Sequence, residues 1–348
     1  MNKLLLMLVL QPVAVILYIL KFSAPVVFIF SSLAIIPLVA ILSQSTEEIT
    51  KHTGPKIGGL LNATMSNIPE LMIGISSVTA GMYELVLYSM AGAIISNILL
   101  VLGASIFLGG IGRKYQYFNK YNARSNFLLL ITCAFSMIVP FALRQSPQIT
   151  QSALINVSFF ISLILILTYL SGLVFTLVTH KSIFVSSSED YKTTLDKNSL
   201  GKAAIMLSIS AVLIAIDSNI LVSQIEVLIN KYRVSEVFIG IIILPILGNV
   251  AENISAVLMA VKDKVEISIE IAIGSSIQIA LFVSPLLVLL SFIIGSPMAY
   301  IFGAFEIVAV LASVGVSLFV FQDGRTNWLE GIVLLGCYVM LAVAFYFL

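Results

Sequence analysis

The chain has 348 residues, of which 59% are hydrophobic and only 10% charged, with a net charge of +1. A soluble domain carries about 25% charged residues, so there are too few charges here to cover a water-facing surface, and lipid must cover most of it. The near-zero net charge argues against a nucleic-acid partner.

A helix needs roughly 20 apolar residues to cross a bilayer. In chain order the candidate spans are 4–20, 25–43, 57–79, 84–109, 124–143, 150–178, 202–222, 236–261, 265–291, 297–320 and 328–347, eleven in all. The first follows Lys3. No small-residue cleavage site comes after it and a second span begins at once, so it is expected to be a helix and not a signal peptide. Cys133 and Cys337 lie inside apolar runs and read as packing residues, while His52 and His180 lie in polar connections and read as solvated. Connections are short except for 179–201, where SSSED at 186–190 is followed by Lys192, Asp196 and Lys197. The expected organisation is an extra N-terminal transmembrane helix (1–21), a first five-helix repeat (22–178), a cytoplasmic linker (179–201) and a second five-helix repeat (202–348).

Alternating the spans places 14 of the 18 Lys and Arg residues on the side of the N-terminus. Only Lys21, Arg144, Lys231 and Arg233 fall on the other side. By the positive-inside rule the N-terminus is then cytoplasmic.

The halves match internally. SNIPELMIG (66–74) aligns with GNVAENISA (248–256), placing Asn67 and Glu70 on Asn249 and Glu252 at a separation of 182 residues. The same separation pairs Gly58 with Gly240 and Gly92 with Gly274. Five spans is an odd number, so the two repeats enter the membrane from opposite sides, the inverted-repeat plan of secondary transporters.

Glu70 and Glu252 lie inside apolar spans, where a carboxylate is costly and a functional role is the default reading. A structural acid, protonated and bonded to a neighbouring helix, is the alternative for either one alone. Residues three apart share a helix face, so Asn67 joins Glu70 and Asn249 joins Glu252. Two carboxylates with amide and backbone oxygens form a hard oxygen site suited to Ca²⁺. Pro69 and Pro245 each remove a donor and are expected to disturb the helix beside the acids. In the following spans, Ser96 and Asn97 (GAIISNILLVLG, 92–103) pair with Ser275, Ser276 and Gln278 (GSSIQIALFVSP, 274–285) as a second layer of oxygens. Glu47, Asp217 and Glu306 are candidates for gating or a proton path.

Two runs, GPKIGGLLNATMSNIPELMIGISS (54–77) and FIGIIILPILGNVAENISAVLMAVKDKVEISIEIAIGSSIQIALFVSP (238–285), resemble the signature repeats of the Ca²⁺/H⁺ antiporters, the cation/proton exchangers of the calcium/cation antiporter superfamily. Weaker similarity runs through TEEI (46–49), FNKYNAR (118–124), EIVA (306–309) and DGRTNWLEG (323–331). The sequence departs from the family at Ser66 (usually Gly), at Ile68-Pro69 (usually small or polar) and at Asn253 (usually His), and its linker is less acidic than in many members. The resemblance implies an all-α integral membrane protein with a sodium/calcium exchanger-like fold. It also implies that Glu70 and Glu252 bind the cation, with Asn67, Asn249, Asn97 and Gln278 near them.

The reading is a secondary transporter that is not an enzyme and has no cofactor. It exchanges Ca²⁺ or a similar divalent cation for H⁺ by alternating access. Its partners are the two ions and the lipid bilayer, with a homo-oligomer left open, and its expected location is a prokaryotic inner membrane. A Na⁺-coupled Ca²⁺ exchanger, with Ser66, Thr64 and Ser76 as further ligands, is the first rival. A passive cation channel and an intramembrane enzyme with a carboxylate acid–base pair are the others.

Overall fold

The computed structural model describes residues 7–179 and 197–348. Apolar segments in lipid must satisfy their own backbone, which makes helix the default. The regular structure of the described residues is helical except for one short ribbon. In order, the elements are α1 (Leu10–Ile19), α2 (Ala24–Met65), α3 (Ile68–Thr79), α4 (Tyr83–Ile95), α5 (Leu102–Gly110), β1 (Gln116–Tyr117), α6 (Lys120–Arg144), α7 (Gln151–Val174), α8 (Lys197–Tyr232), α9 (Glu236–Phe238), α10 (Leu244–Gly248), α11 (Val250–Val261), α12 (Val265–Gln278), α13 (Ser284–Ile294), α14 (Ala304–Phe321), β2 (Arg325–Thr326) and α15 (Trp328–Tyr346). π-Helical turns at Ser96–Val101, Phe175–Thr179, Ile239–Ile243 and Ile279–Val283 join or extend them. β1 pairs antiparallel with β2, Gln116 opposite Thr326 and Tyr117 opposite Arg325.

Among the described residues, eight helices are long and apolar enough to cross a membrane, or nine if the bent run Glu236–Val261 counts as one. The expected eleven is not reached, for three local reasons. The first span begins in residues outside the description, leaving the ten-residue α1. The third span is interrupted at Ser66–Asn67, leaving the twelve-residue α3. The connection expected at 44–56 is itself helical, so spans two and three share the 42-residue α2. That run is not straight. The Thr50 hydroxyl donates to the Gly58 carbonyl at 3.4 Å, whereas eight residues of straight helix would separate them by about 12 Å. The chain therefore bends sharply between them while keeping helical backbone bonds.

The tenth span is also shorter than expected. Residues 295–303 form a loop opened by Gly295 at φ 85°. Its Tyr300 and Phe302 are buried, and the Tyr300 N–H is satisfied by the Ser158 hydroxyl at 2.8 Å. The expected linker lies mostly outside the described residues, and its last part, from Lys197, is the start of α8.

The chain forms two compact units, each taking segments from both halves of the sequence. One comprises the N-terminal stretch to Ala80 together with Leu170–Val234. In it α8 packs along α2 and α3, and α1 packs on both α2 and α8. Its core includes Ala34, Ile35, Leu38, Leu42, Ile214, Leu221 and Ile225. The other comprises Gly81–Tyr169 and Ser235–Leu348. There α5 packs against α11 and α15, α4 against the π turn 239–243, and α12 against α11 and α6. Large apolar side chains also lie bare on the surface, among them Phe135, Ile164, Val212, Phe319 and Met340. In water this much exposed apolar surface would drive association; against acyl chains it is the expected face.

Candidate cation site

In the second unit, the span carrying Glu252 breaks at Asn249. The runs Glu236–Gly248 and Val250–Val261 meet there at 64°, with Asn249 at φ −100°, ψ 13°, in the sparsely used bridge region between α and β. The Asn249 N–H and its side-chain amide both reach back to the Pro245 carbonyl, at 3.2 and 3.4 Å. Glu252 then stands in the first turn of α11, half-buried, where the positive end of the helix favours an anion. Ser275 of α12 donates its hydroxyl to Glu252 Oε2. Ser276, one residue on, is turned away and donates to the Ala272 carbonyl at 2.9 Å. Gln278 ends α12, just before the π turn 279–283. Ser96 and Asn97 are both buried at the start of the π turn 96–101, which packs against α11. The Asn97 amide nitrogen makes no hydrogen bond among the described residues.

The first unit holds the matching element. Asn67 precedes α3 at φ −93°, ψ 11°, and Glu70 stands in the first turn. Asn67 and Glu70 are both buried. The Asn67 side-chain amide donates to the Ser66 hydroxyl at 3.4 Å, and the Asn67 backbone carbonyl accepts the Leu71 N–H at 3.0 Å. α3 and α11 are each twelve residues long, and both their first and last residues differ by 182.

Only Pro69 acts differently from expectation: it occupies the first turn of α3, where no N–H is needed. Pro245 follows a π turn within one helical run, and the interruptions themselves fall on Asn67 and Asn249. Two of the π turns, 239–243 and 279–283, end two residues before Pro245 and Pro285. A missing donor there frees carbonyls in the preceding turn.

The three outlying acids are dispersed. Glu47 is exposed and pairs with Lys51 at 3.3 Å. Asp217, fully buried in α8, faces Gln11 of α1. With the Gln11 amide oriented to satisfy both groups, its nitrogen donates to the two carboxylate oxygens at 2.9 and 3.3 Å. Glu306 is buried in the first turn of α14, and its Oε2 has no hydrogen-bond partner among the described residues.

Sequence reasoning missed three features. His52 is not simply solvated: its Nε2 lies 2.8 Å from the Ser199 hydroxyl, which donates to Glu48 at 3.0 Å. The end of α11 is secured by the Gln116 amide on the Ala260 carbonyl at 3.1 Å and by Arg113, which bonds the Val261 carbonyl at 3.1 Å and pairs with Asp263 at 3.3 Å. The π turns leave no trace in an apolar run, although Pro245 and Pro285 mark two of them.

The profile of the sodium/calcium exchanger protein family matches residues 23–178 and again 202–347. The chain is 38% identical over 337 residues to a Ca²⁺/H⁺ antiporter of Synechocystis sp., covering 92% of this chain and 91% of that one. It is 38% identical over 341 residues to the Ca²⁺/H⁺ antiporter ChaA of Bacillus subtilis, covering 97% and 96%. The solved structure of native YfkE superposes with a TM-score of 0.84 at 35% identity, covering 98% of this chain and all of that one. The chain is a membrane protein of the sodium/calcium exchanger family, in its Ca²⁺/H⁺ antiporter branch.

Proposed function

We propose that this protein exchanges Ca²⁺, or a similar divalent cation, for H⁺, with Glu70 and Glu252 as the shared carriers. One observation carries the reading. In each half of the sequence a twelve-residue helix starts at an asparagine in the same non-helical conformation and holds a glutamate in its first turn. The two matches to the family profile, 23–178 and 202–347, support the division into repeats at 22–178 and 202–348. On this reading the repeats are inverted, and the two acids belong to one site near the bilayer midplane.

The chemistry follows from the donor set. Two ionised carboxylates attract a divalent cation. Asn67, Asn249, Asn97, Gln278, Ser96 and Ser275, with carbonyls at the helix breaks, supply neutral oxygens suited to Ca²⁺. A proton on either carboxylate removes its charge and weakens the cation site, so one Ca²⁺ or up to two protons occupy it in turn. The Ser275 hydroxyl donates to one Glu252 oxygen and orients the carboxylate. Alternating access then exposes the same pair to each side. Asp217 and Glu306, being buried, are assigned to the proton path or gate; Glu47, at an exposed helical turn, guards the edge. The basic-residue bias supports a cytoplasmic N-terminus, and the bacterial antiporter relatives support an inner-membrane location.

The test is Ca²⁺ flux in vesicles carrying the purified protein. An imposed pH gradient is expected to drive saturable Ca²⁺ uptake, and an equal Na⁺ gradient at fixed pH is not. Uptake that follows the Na⁺ gradient would replace H⁺ by Na⁺ as the coupling ion. Non-saturable uptake without countertransport would indicate a channel.

A further inference from the structure

The first unit has a cavity of about 320 Å³ away from both glutamates in the sequence, where α1 turns into α2 and α8 ends. It is lined by Tyr18, Lys21, Phe22, Gln224, Lys231 and Tyr232, with Ser23, Ala24 and small apolar neighbours behind them. We infer that this cavity binds the headgroup of an anionic phospholipid, with Lys21 and Lys231 holding the phosphate.

The charge in the lining has one sign. It holds two lysines and no carboxylate, and neither lysine is in an ion pair among the described residues. Lys231 lies over the ring of Tyr232, 5.7 Å from its centroid. The lining also has neutral hydrogen-bonding groups: the Tyr18 and Tyr232 hydroxyls, Ser23, and the nearly buried Gln224. Ser23 and Ala24 open the long α2; Pro25 has no N–H, and the Val26 and Val27 N–H groups donate to the Ser23 carbonyl at 3.0 and 3.1 Å, so side chains supply the hydrogen bonds to a ligand here.

The backbone at Lys21 points the same way. Lys21 is held at φ 55°, in the left-handed region. Its N–H donates to the Tyr18 carbonyl, and the next N–H, from Phe22, reaches back to Leu17, both at 3.0 Å. This is the helix-ending turn in which glycine is the ordinary choice. A lysine there has a conformational cost. Interaction with the end of α1 offsets part of it, but a glycine would close the same turn without strain.

The setting distinguishes a lipid from a free anion. The cavity sits where three apolar helices end together, at Ile19, at Ala24 and at Tyr232. Phe22 and Val227 of its lining are exposed, as are Ile16, Ile19 and Leu20 in the adjoining end of α1. A free phosphate has no use for that apolar surface, whereas acyl chains below a bound headgroup would cover it. A basic pocket between membrane helices can hold an anionic headgroup, here in the non-cytoplasmic leaflet on the proposed topology, and tyrosines are at home at that depth.

The experiment uses the full chain in detergent and compares Lys21→Gly/Lys231→Gln with wild type by native mass spectrometry. Phosphatidylglycerol, phosphatidylcholine and inorganic phosphate are each added in turn. Glycine suits φ 55°, so the variant should fold, which a thermal melt checks. Wild type should retain phosphatidylglycerol at least about tenfold more tightly than the variant, and phosphatidylcholine and phosphate should bind neither appreciably. A second variant, Lys262→Gln/Lys264→Gln, removes two charges elsewhere and should retain the lipid. Equal lipid binding by the cavity variant and wild type would overturn the site. Equal loss in the control variant would reduce it to net charge. Retention of inorganic phosphate in place of lipid would overturn the assignment of the ligand.

Discussion

The segments 66–82 and 248–264 share a backbone and differ in their side chains. In both, an asparagine in the bridge region precedes a twelve-residue helix with its glutamate in the first turn. In both, the turn that follows places a residue in the left-handed region, Gly81 at φ 76° and Asp263 at φ 64°. The ends differ sharply in charge. The first helix runs out through Ala80, Gly81 and Met82, and the second through Lys262, Asp263 and Lys264. Under the proposed inverted repeats, the matched ends belong to opposite faces of the membrane, and a difference in charge between them is expected. The acids differ too. Glu70 is buried, while Glu252 is half-exposed and held by the Ser275 hydroxyl. The residue matched to Ser275 in the first half is Ala93, which has no hydroxyl to offer. Position and charge are duplicated, but the serine hydroxyl at the matched position is not.

The largest expected effect removes what the two segments share. Glu70→Gln or Glu252→Gln keeps the shape and deletes one charge, so each should cut pH-driven Ca²⁺ uptake by about 100-fold or more, while the protein inserts normally because a neutral amide is easier to bury than a carboxylate. Near-normal uptake by both variants would separate the duplicated backbone from transport. Loss of folding instead would make the acids structural.

The next contrast concerns the matched glycines of the following helices. A methyl group on Gly92 would lie 2.6 Å from the Ile241 carbonyl carbon, whereas one on Gly274 would meet nothing within 4 Å. Gly92→Ala should therefore destabilise by about 1–3 kcal/mol and lower the thermal midpoint by several degrees, and Gly274→Ala should leave it within about one degree. Equal melting temperatures for the two variants would show that α4 can move off the π turn at no cost.

Ser275→Ala tests the support that is not duplicated. Losing a hydrogen bond to a charged group costs about 1.5–3 kcal/mol, so apparent Ca²⁺ affinity should change by about tenfold or more, with the maximal rate less affected. An unchanged affinity would mean that the Ser275 contact does not persist in the Ca²⁺-bound state. The smallest effect is expected from Glu47→Gln. An exposed pair such as Glu47–Lys51 contributes at most about 1 kcal/mol, and uptake should stay within about twofold. A loss comparable to that of the buried acids would move Glu47 into the transport path.

Much of this was legible in the sequence because apolar length and the 182-residue match are both one-dimensional. Most span boundaries fell close to helix ends. The connection at 44–56 was misjudged because polarity there reports exposure, and the backbone bends without giving up its helical bonds. The disturbance beside the acids was assigned to the prolines; Pro245 does follow a π turn, but Pro69 starts a helix, and the interruptions themselves sit on Asn67 and Asn249. The partner of Asp217 was not legible at all. Gln11 lies in the extra first helix, and only packing of α1 on α8 brings them together. The same holds for the compact units, which take segments from both halves and so cut across the repeats that the sequence displays.

The central claim is that one Ca²⁺ and up to two protons compete for Glu70 and Glu252. It is tested most directly by counting protons released per Ca²⁺ bound, with the purified protein in weakly buffered detergent solution across a range of pH. Wild type should release between one and two protons per Ca²⁺ at a pH where both acids are largely protonated. Each Gln variant should release no more than one, at Ca²⁺ concentrations high enough to compensate for its weaker binding. Release that is the same in wild type and in both variants would place the exchanging protons on other groups and contradict the account.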